Sequence, residues 1–291
     1  MSGIHYVFKR LYEISGLENF SWSQVFQFLL IIISVFIFEL LVVGWKKSSL
    51  RVLLKFKSST RTDFYIFLTD LFGLFNILAF LFSFGICYFL VGQVQKNVDF
   101  QLIRFIENGS VQFLIVYILA DFKEYFKHYL FHRLPLLWQI HSFHHSAEEF
   151  NILTTYRFHY LQTALGTFFD VIPYVILGVP IQTYFAVKIL GLIHGLLVHS
   201  NINHTWGIIG KYILVSPAAH RIHHSIEIEH YNKNLGGVFI FWDRLFGTYQ
   251  AAVEVKKIGI PHNPFNRKNL LHDLYYPVRG MLQILRKPFG R

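Results

Sequence analysis

Histidine is concentrated in one part of this 291-residue chain: 13 of its 16 histidines lie between positions 128 and 230. Imidazole is the commonest transition-metal ligand, because its neutral nitrogen donates without first losing a proton at neutral pH. One group falls in the stretch 121–159, DFKEYFKHYLFHRLPLLWQIHSFHHSAEEFNILTTYRFH, and another is HRIHH at 220–224, with His199 between them. This distribution predicts a metal centre built from two histidine-rich blocks.

The spacing within the blocks indicates more than one metal ion. His128 and His132 are four residues apart in a segment with a helical pattern, so their rings point the same way and can share a metal. In HSFHH, His144 and His145 fall on either side of His141, about 100° apart around a helix, and HRIHH repeats the pattern. Eight such histidines exceed the four ligands of a closed zinc site. We therefore expect a dinuclear centre with open positions, which suits redox-active iron.

Two acidic residues precede the first block. Asp121 lies seven residues before His128 and Glu124 lies four before it, on the same helix face. Either carboxylate could orient a ligand ring. The alternative is that both are ordinary solvated helix charges.

The composition is that of a polytopic membrane protein, with 53% hydrophobic, 18% aromatic and only 15% charged residues. The net charge of +10 is explained by lipid headgroups and the positive-inside rule better than by nucleic acid, and we expect no nucleic-acid partner. The single cysteine, Cys87, excludes a disulfide within the chain and a cysteine-ligated cluster.

The apolar runs predict the topology. Spans are expected at 25–45 and 64–92 and from Val111 into the first histidine block, after an amphipathic lead-in at 1–22. The runs 161–178 and 181–198 fit two further spans or, because of Pro173 and Pro180, a kinked hairpin. This arrangement places 22 of the 27 lysines and arginines on one side. Both histidine blocks are therefore predicted to face the cytosol.

The histidine blocks and their flanks together resemble a known family. HYLFH, HSFHH and HRIHH, with PLLW and TTYRFH around the second block, HSN at 199–201 and NLGGVFIFWDRLFGTY at 234–249, are similar to the fatty acid hydroxylase/sterol desaturase superfamily of membrane oxygenases. The resemblance covers 111–249 and implies an all-α fold, a multi-pass membrane helix bundle with a cytosolic helical cap. The cap would hold two iron ions that activate O2 to hydroxylate or desaturate a lipid alkyl chain or a sterol.

The resemblance also implies which residues bind the metals. Carried over position by position, the ligands are His128, His132, His141, His144, His145, His220, His223 and His224, with His199 as a ninth. It implies no catalytic residue beyond these ligands and no further cofactor-binding residue.

Weaker candidates surround the ligands. His159, in an Arg-x-His element with Arg157, is a candidate ligand or supporting residue. His194 and His204 each lie five residues from His199, a spacing that points away from its helix face, so packing histidines are the alternative. The closing motif contributes Asn234, and also Asp243, which could support a ligand or belong to a helix-turn packing element.

The chain is expected to form one membrane-embedded domain over 1–291, with a core at 111–249 and a basic amphipathic tail at 250–291, for which an ordinary packing helix is the alternative. The membrane would be a bacterial cytoplasmic membrane or the endoplasmic reticulum. The sequence shows no cytochrome-like domain, so a separate cytochrome b5-, ferredoxin- or reductase-like protein should donate electrons. The oligomeric state is left open.

Two other classes of protein are alternatives to the oxygenase. A divalent-metal-handling membrane protein would be expected to place its ligands near the midplane of its spans, whereas these histidines lie in polar stretches between and after the apolar runs. A dinuclear zinc hydrolase is the other alternative, because nitrogen-rich sites also bind zinc strongly.

Overall fold

The computed structural model of the chain describes residues 22–74, 93, 96–97 and 102–286. The α-helices in these ranges are α1 (Trp22–Val43), α2 (Ser49–Leu54), α3 (Ser58–Leu71), α4 (Gly109–Arg133), α5 (Pro135–His145), α6 (Tyr160–Leu177), α7 (Ile181–Val198), α8 (Gly207–Tyr212), α9 (Pro217–His223), α10 (Phe241–Leu245) and α11 (Leu270–Leu285). Short 3-10 helices occupy Trp45–Lys47, Leu102–Phe105, Ile152–Tyr156 and Ile228–His230. The described part of the chain has two isolated β-bridges and no strand, which confirms the all-α prediction.

One described helix is long and apolar enough to cross a membrane by itself. This is the part of α1 from Val25 to Val43, which matches the first predicted span. Gln182–Val198 in α7 is a shorter apolar helix. Passage of the chain through the membrane more than once stays a prediction. The predicted lead-in at 1–21, the residues 75–92 of the second predicted span and Cys87 lie outside the described residues.

The described part of the second predicted span, residues 64–74, is not one continuous helix. Helix α3 begins at Ser58, before the predicted start, and ends at Leu71. Gly73 then adopts a left-handed conformation with φ 66°, and its N–H donates to the Asp70 carbonyl. A left-handed residue just after a helix ends it, and glycine adopts this conformation at little cost. The apolar composition of the run concealed this break.

Helices α4 and α5 carry the first histidine block. Helix α4 is continuous for 25 residues into the block, as predicted, and the Asn108 side chain caps its start by accepting from the N–H groups of Ser110 and Val111. The chain leaves it at Leu134, and Pro135 occupies the first turn of α5. Proline lacks the N–H that a helix interior needs but suits a first turn. One helix therefore ends and another begins between His132 and His141.

The second block stands on shorter elements. Helices α6 and α7 are separated at 178–180, as the sequence predicted, and α7 ends with His199 as its C-cap. Helix α9 has Pro217 in its first turn and Ser216 as its N-cap, whose hydroxyl accepts from the Ala219 N–H. These caps fix where each histidine-bearing helix begins or ends.

Arg157 joins distant parts of the chain in the interior. It is fully buried and forms an ion pair of 2.6 Å with the buried Asp63 of α3. Its guanidinium also donates to oxygens of Ser59, Phe143, Ser146 and Asn266. None of these bonds reaches a histidine, so the structure gives Arg157 a role in the packing of α3, α5 and the C-terminal segment rather than a contact with the histidine site.

The C-terminal region closes over this core. Helix α11 packs against α5, and its Asp273 and Pro277 are buried. Leu271, Tyr275 and Leu285 are exposed on its other side. The predicted tail therefore contains a helix with one packed face and one exposed apolar face, while the domain boundaries stay predictions.

Replacing Asp63 by alanine should destabilise the fold strongly, because it leaves the Arg157 charge buried without its partner. Breaking a buried ion pair in this way costs about 3–5 kcal/mol. The effect is measured by thermal unfolding of the detergent-solubilised protein, with the remaining fraction of monodisperse protein as the signal. The matched control is Lys57→Ala, which breaks the exposed 2.6 Å pair with Glu149 and should cost at most about 1 kcal/mol. Equal losses in the two variants would contradict the role given to Asp63.

Candidate metal centre

Nine histidines converge in two groups. In each group, one ring nitrogen from every member lies within 4.8 Å of those of all the others. The five-histidine group is His128, His132, His141, His145 and His223, and the four-histidine group is His144, His199, His220 and His224. The groups are adjacent, since the His145 and His224 rings, one from each, have centroids 4.3 Å apart. The structure thus brings together all nine residues that the sequence nominated as ligands.

Helix periodicity explains the division. Residues four apart share a helix face, and the pairs 128/132, 141/145 and 220/224 each lie in one group. The middle histidine of each HxxHH pattern belongs to the other group: His144 lies in the four-histidine group and His223 in the five-histidine group. Each pattern therefore contributes to both groups, as the predicted fan of rings required.

Hydrogen bonds to oxygen fix the tautomer of four rings. An oxygen acceptor requires Nδ1 to carry the proton, which leaves Nε2 with a free lone pair. The Nδ1 atoms of His128, His141, His199 and His223 donate to the Leu235 carbonyl (2.8 Å), Gln162 Oε1 (3.1 Å), the Gly195 carbonyl (2.8 Å) and the Lys233 carbonyl (3.0 Å). Such outer partners are what orient metal-bound histidines in proteins.

The distances between the rings fit a shared cation. Nε2 of His128 lies 3.0 Å from Nε2 of His141 and 3.2 Å from that of His132, and His199 and His220 are 3.0 Å apart. With metal–nitrogen bonds of about 2.1 Å, nitrogens bound at a right angle lie about 3 Å apart. The spacing therefore matches that of neighbouring ligands.

Several buried ring nitrogens have no hydrogen-bond partner among the described residues. Within the two groups they are Nδ1 of His144, Nε2 of His223 and both ring nitrogens of His224. A buried polar atom without a partner is rare and costly, and a bound ion is one of the groups that can satisfy it. The residues present therefore fit a metal centre.

The surroundings keep the rings neutral. Burial lowers the pKa of His128 and of His199 to about 4. It also lowers the pKa of the other seven well below the ordinary value for histidine. Neutral imidazole is the form that binds metals, so the nine rings are ready to do so at neutral pH.

Asp121 contacts a loop and no ligand ring, and Glu124 forms ion pairs within its own helix. Asp121 accepts from the N–H groups of Val238 (2.8 Å) and Phe239 (3.0 Å) and from Trp242 Nε1 (3.1 Å). Its oxygens are thus used by the 238–242 segment, and any effect of Asp121 on a ligand ring passes through that segment. Glu124 pairs with Lys123 (2.8 Å) and Lys127 (2.6 Å) of its own helix, as an ordinary helix charge does.

Asp243 supports a ligand through one intermediate. Its carboxylate accepts from the N–H groups of Leu235 (2.6 Å) and Gly236 (2.8 Å) and from the Thr248 hydroxyl (2.6 Å). The carbonyl of Leu235 in turn accepts from His128. Asp121 and Asp243 thus hold the two ends of one loop, residues 235–239, which orients His128. Burial raises the pKa of Asp243 to about 6.

The remaining candidates lie outside both groups. His159 uses both ring nitrogens elsewhere: Nε2 contacts the Leu274 carbonyl at 2.7 Å, and Nδ1 accepts from the Leu161 N–H. Its nomination as a ligand is therefore wrong. His194 packs near the Trp206 ring, while the exposed His204 accepts from the Trp206 N–H.

Asn234 braces the second block. Its side-chain amide donates to the carbonyls of Ala219 in α9 (3.1 Å) and Gln250 (3.0 Å), and its oxygen accepts from the Gln250 N–H. The preceding residue, Lys233, provides the carbonyl that holds His223. Asn234 thus ties the closing motif to the helix that carries HRIHH.

A cavity of about 530 Å³ adjoins both groups. His128 and His141 of the five-histidine group line it, as do His144, His199 and His220 of the four-histidine group. Gly166 and Gly191 line it from α6 and α7, and a Cβ atom added at either would meet no atom within 4 Å. The two glycines therefore leave open space beside the histidines.

Sequence reasoning missed the partners that hold the rings. Gln162, which accepts from His141, was not singled out, and neither were the carbonyls of Gly195, Lys233 and Leu235. A carbonyl carries no residue-type signal, and Gln162 lies 21 positions from its partner. Only the tertiary arrangement reveals these contacts.

Comparisons with known proteins agree with this geometry. The fatty acid hydroxylase family matches residues 113–248. Ornithine lipid hydroxylase of Rhizobium tropici is 30% identical over 183 residues, which are 62% of this chain and 51% of the relative. Human alkylglycerol monooxygenase is 32% identical over 149 residues, or 50% of this chain and 32% of the relative. Human cholesterol 25-hydroxylase is 26% identical over 141 residues, or 48% and 51%.

The chain thus spans about half or less of the length of these curated relatives. No solved structure matches it significantly. The region matched by the family contains all nine clustered histidines and the 235–239 loop that orients His128. Residues 113–248, which include the whole candidate metal centre, are thus similar to the fatty acid hydroxylase family.

Proposed function

We propose that this chain is an O2-dependent, non-haem di-iron enzyme that hydroxylates a membrane lipid. The observation that carries the proposal is the convergence of two groups of neutral histidine nitrogens beside a cavity large enough for a small lipid. The named relatives, a lipid hydroxylase, an alkylglycerol monooxygenase and a cholesterol hydroxylase, favour hydroxylation over desaturation. Iron bound by the two groups would supply the activation of O2 that attack on an unactivated C–H bond needs.

The protein's own part in this reaction is to bind, orient and exclude water. The fixed Nδ1–H donors hold four rings with Nε2 facing the group, so metal binding requires little rearrangement. The rings of Phe150 and Phe158 pack on the four-histidine group, and Trp138 packs on His132 and His145. These apolar walls keep water from the reacting carbon and direct the reaction toward the cavity.

The same proposal places the chain in the membrane more than once. Large apolar side chains of α1 are exposed along much of its length: Phe26, Leu30, Ile33, Ile37 and Leu41. Phe185 and Ile189 of α7 are exposed as well. Contact with lipid is the simplest reason for so much exposed apolar surface. With α1, 64–92, the start of α4, α6 and α7 in the membrane, the positive-inside rule puts both histidine blocks on the cytosolic side.

A separate electron-donor protein completes the proposal. Hydroxylation inserts one oxygen atom of O2 into a C–H bond and reduces the other to water, which consumes two electrons and two protons. We propose that a cytochrome b5-, ferredoxin- or reductase-like partner supplies these electrons. A metal-handling protein would have to release its ion, whereas here outer hydrogen bonds hold the rings in the interior, which supports a resident metal.

His144→Ala should abolish lipid oxidation and lower the iron content, because it removes a ligand from the four-histidine group. Lipidomics of cells that carry the wild-type or variant gene measures the reaction as a gain of one oxygen, or a loss of two hydrogens for desaturation. Iron per purified chain is measured in parallel. His204→Ala is the control, since this exposed histidine lies outside both groups. A wild-type protein that binds iron, receives electrons and still consumes no O2 with any lipid extract would refute the proposed function.

Gly191→Leu should block the substrate without removing the metal. A Cβ at this position meets open space, so a leucine side chain would extend into the cavity without a clash in the backbone. We expect at least a tenfold loss of turnover with unchanged iron content and unchanged thermal stability. Gly109→Leu adds the same side chain at a helix start outside the cavity, where no atom lies within 4 Å either, and should leave turnover unchanged. Equal activity in both variants would show that the cavity does not hold the substrate.

The metal-free protein should lose stability as the pH falls from about 6.5 toward 4. His128 and His199 have a folded pKa near 4, below the unfolded value of about 6.5, so the unfolded state binds more protons in this window. Their contribution to stability is complete above pH 6.5 and is lost as the pH falls, by up to about 1.4 kcal/mol per histidine and pH unit. Thermal midpoints of metal-stripped protein at pH 7.5 and 5.5 measure the effect. A midpoint that does not change would contradict burial of the rings as neutral groups.

A further inference from the structure

The cavity contains a polar spot that the histidine groups do not explain. Asp70 and Tyr156 both line it. Tyr156 is only 8% exposed, and its hydroxyl is buried with no hydrogen-bond partner among the described residues. The partly buried Asp70 carboxyl makes no hydrogen bond or ion pair with a described residue. Two polar groups left without partners beside an open space indicate a ligand that would supply them.

The Asp70 carboxyl and the Tyr156 hydroxyl lie at the same corner of the cavity. The Tyr156 ring packs against Phe67 of α3 at 5.2 Å and Phe28 of α1 at 6.0 Å between centroids. Asp70 follows Phe67 by one turn of α3. Burial, and to a lesser extent the charge of Asp70, raises the pKa of the Tyr156 phenol. The spot is thus built by α1, α3 and the 152–156 segment, whereas the histidines stand on or next to α4, α5, α7 and α9.

We propose that Asp70 and Tyr156 form a subsite for a free hydroxyl group of the lipid substrate. This inference rests on the proposed function and adds the substrate class to it. A carboxylate can accept a hydrogen bond and a phenol can donate one, and a hydroxyl group is the simplest partner that does both. The hydroxyl would be held at this corner while the apolar part of the lipid lies along the cavity beside the histidines.

The charges around the cavity argue against an ionic headgroup. The Asp70 carboxylate lines the cavity and disfavours a phosphate. Burying an isolated charge is far more costly than burying a hydroxyl that makes its hydrogen bonds. An uncharged alcohol therefore fits the subsite better than an ammonium or a phosphate group.

Binding of two matched probes tests the subsite. The probes are radiolabelled 1-hexadecanol and its methyl ether, bound to the iron-loaded full chain in detergent and measured by equilibrium dialysis. The ether can accept from Tyr156 but cannot donate to Asp70. We expect the wild type to bind the alcohol about 5- to 10-fold more tightly than the ether, as the loss of about one hydrogen bond predicts.

Two variants and a control separate the two contacts. Asp70→Leu should remove the preference for the alcohol, and Tyr156→Phe should weaken both probes by a similar factor of about 5 to 10. Tyr65→Phe removes a phenol hydroxyl from the exposed side of α3 and should change neither. If both cavity variants bind the alcohol as tightly as the wild type, the subsite is refuted. Tighter binding of hexadecylammonium that depends on Asp70 would refute the assignment to a hydroxyl.

The binding measurement does not depend on turnover. A wild type that shows the expected probe preference but no O2 consumption would refute the proposed function and leave the subsite intact. If the Tyr156→Phe and Asp70→Leu variants oxidise lipid with the same KM as the wild type, the subsite is refuted and the proposed function stands. Both variants are checked for iron content, so a loss of the metal centre is not mistaken for a loss of the subsite.

Discussion

The structure depends on one constraint, which is that nine neutral imidazoles, seven of them buried and two partly buried, must pack together with ring nitrogens facing one another. Without a cation, a buried ring nitrogen that finds no partner costs about 1–3 kcal/mol, and four such nitrogens, on His144, His223 and His224, have no partner among the described residues. Two shared ions would satisfy many of these nitrogens at once. Metal binding would then contribute directly to the folding free energy, and most of the surrounding contacts can be understood as devices that hold the rings ready for it.

The 235–239 loop is the most closely held of these devices. The Asp121 and Asp243 carboxylates approach its backbone so closely that a Cβ on Gly237 would lie 3.1 Å from Asp121 Oδ1 and one on Gly236 would lie 2.9 Å from Asp243 Oδ2. Glycine is needed at position 236, where a Cβ would also lie 2.6 Å from the Phe239 carbonyl oxygen, whereas a Cβ at 237 would require the Asp121 carboxylate to shift. The loop gives its first carbonyl to His128, and residues 236–238 form part of the cavity wall. Ligand orientation and cavity shape therefore depend on the same few hydrogen bonds.

The sequence predicted the ligand set more completely than it predicted the supporting contacts. Local spacing is enough for His128 and His132, or for the fan in HSFHH, because helix geometry determines which rings share a face. Local spacing misled at Asp121, which does lie on the face of α4 that carries His128, but whose oxygens are used by residues 117 to 121 positions away. The prediction that His159 is a ligand is wrong for a similar reason, since its Nε2 contacts a carbonyl 115 residues later in the chain. Long-range partners of this kind leave no local pattern.

The division of the HxxHH patterns has a consequence for the chemistry. Because α5 and α9 each give histidines to both groups, neither group can shift or lose a helix without disturbing the other. The 4.3 Å contact between the His145 and His224 rings joins the groups directly. The cavity, in turn, is lined by members of both groups. A lipid bound there would face the two proposed ions together. We expect this coupling to make the centre sensitive to a single substitution, and the same arrangement would let both proposed ions act on one bound lipid.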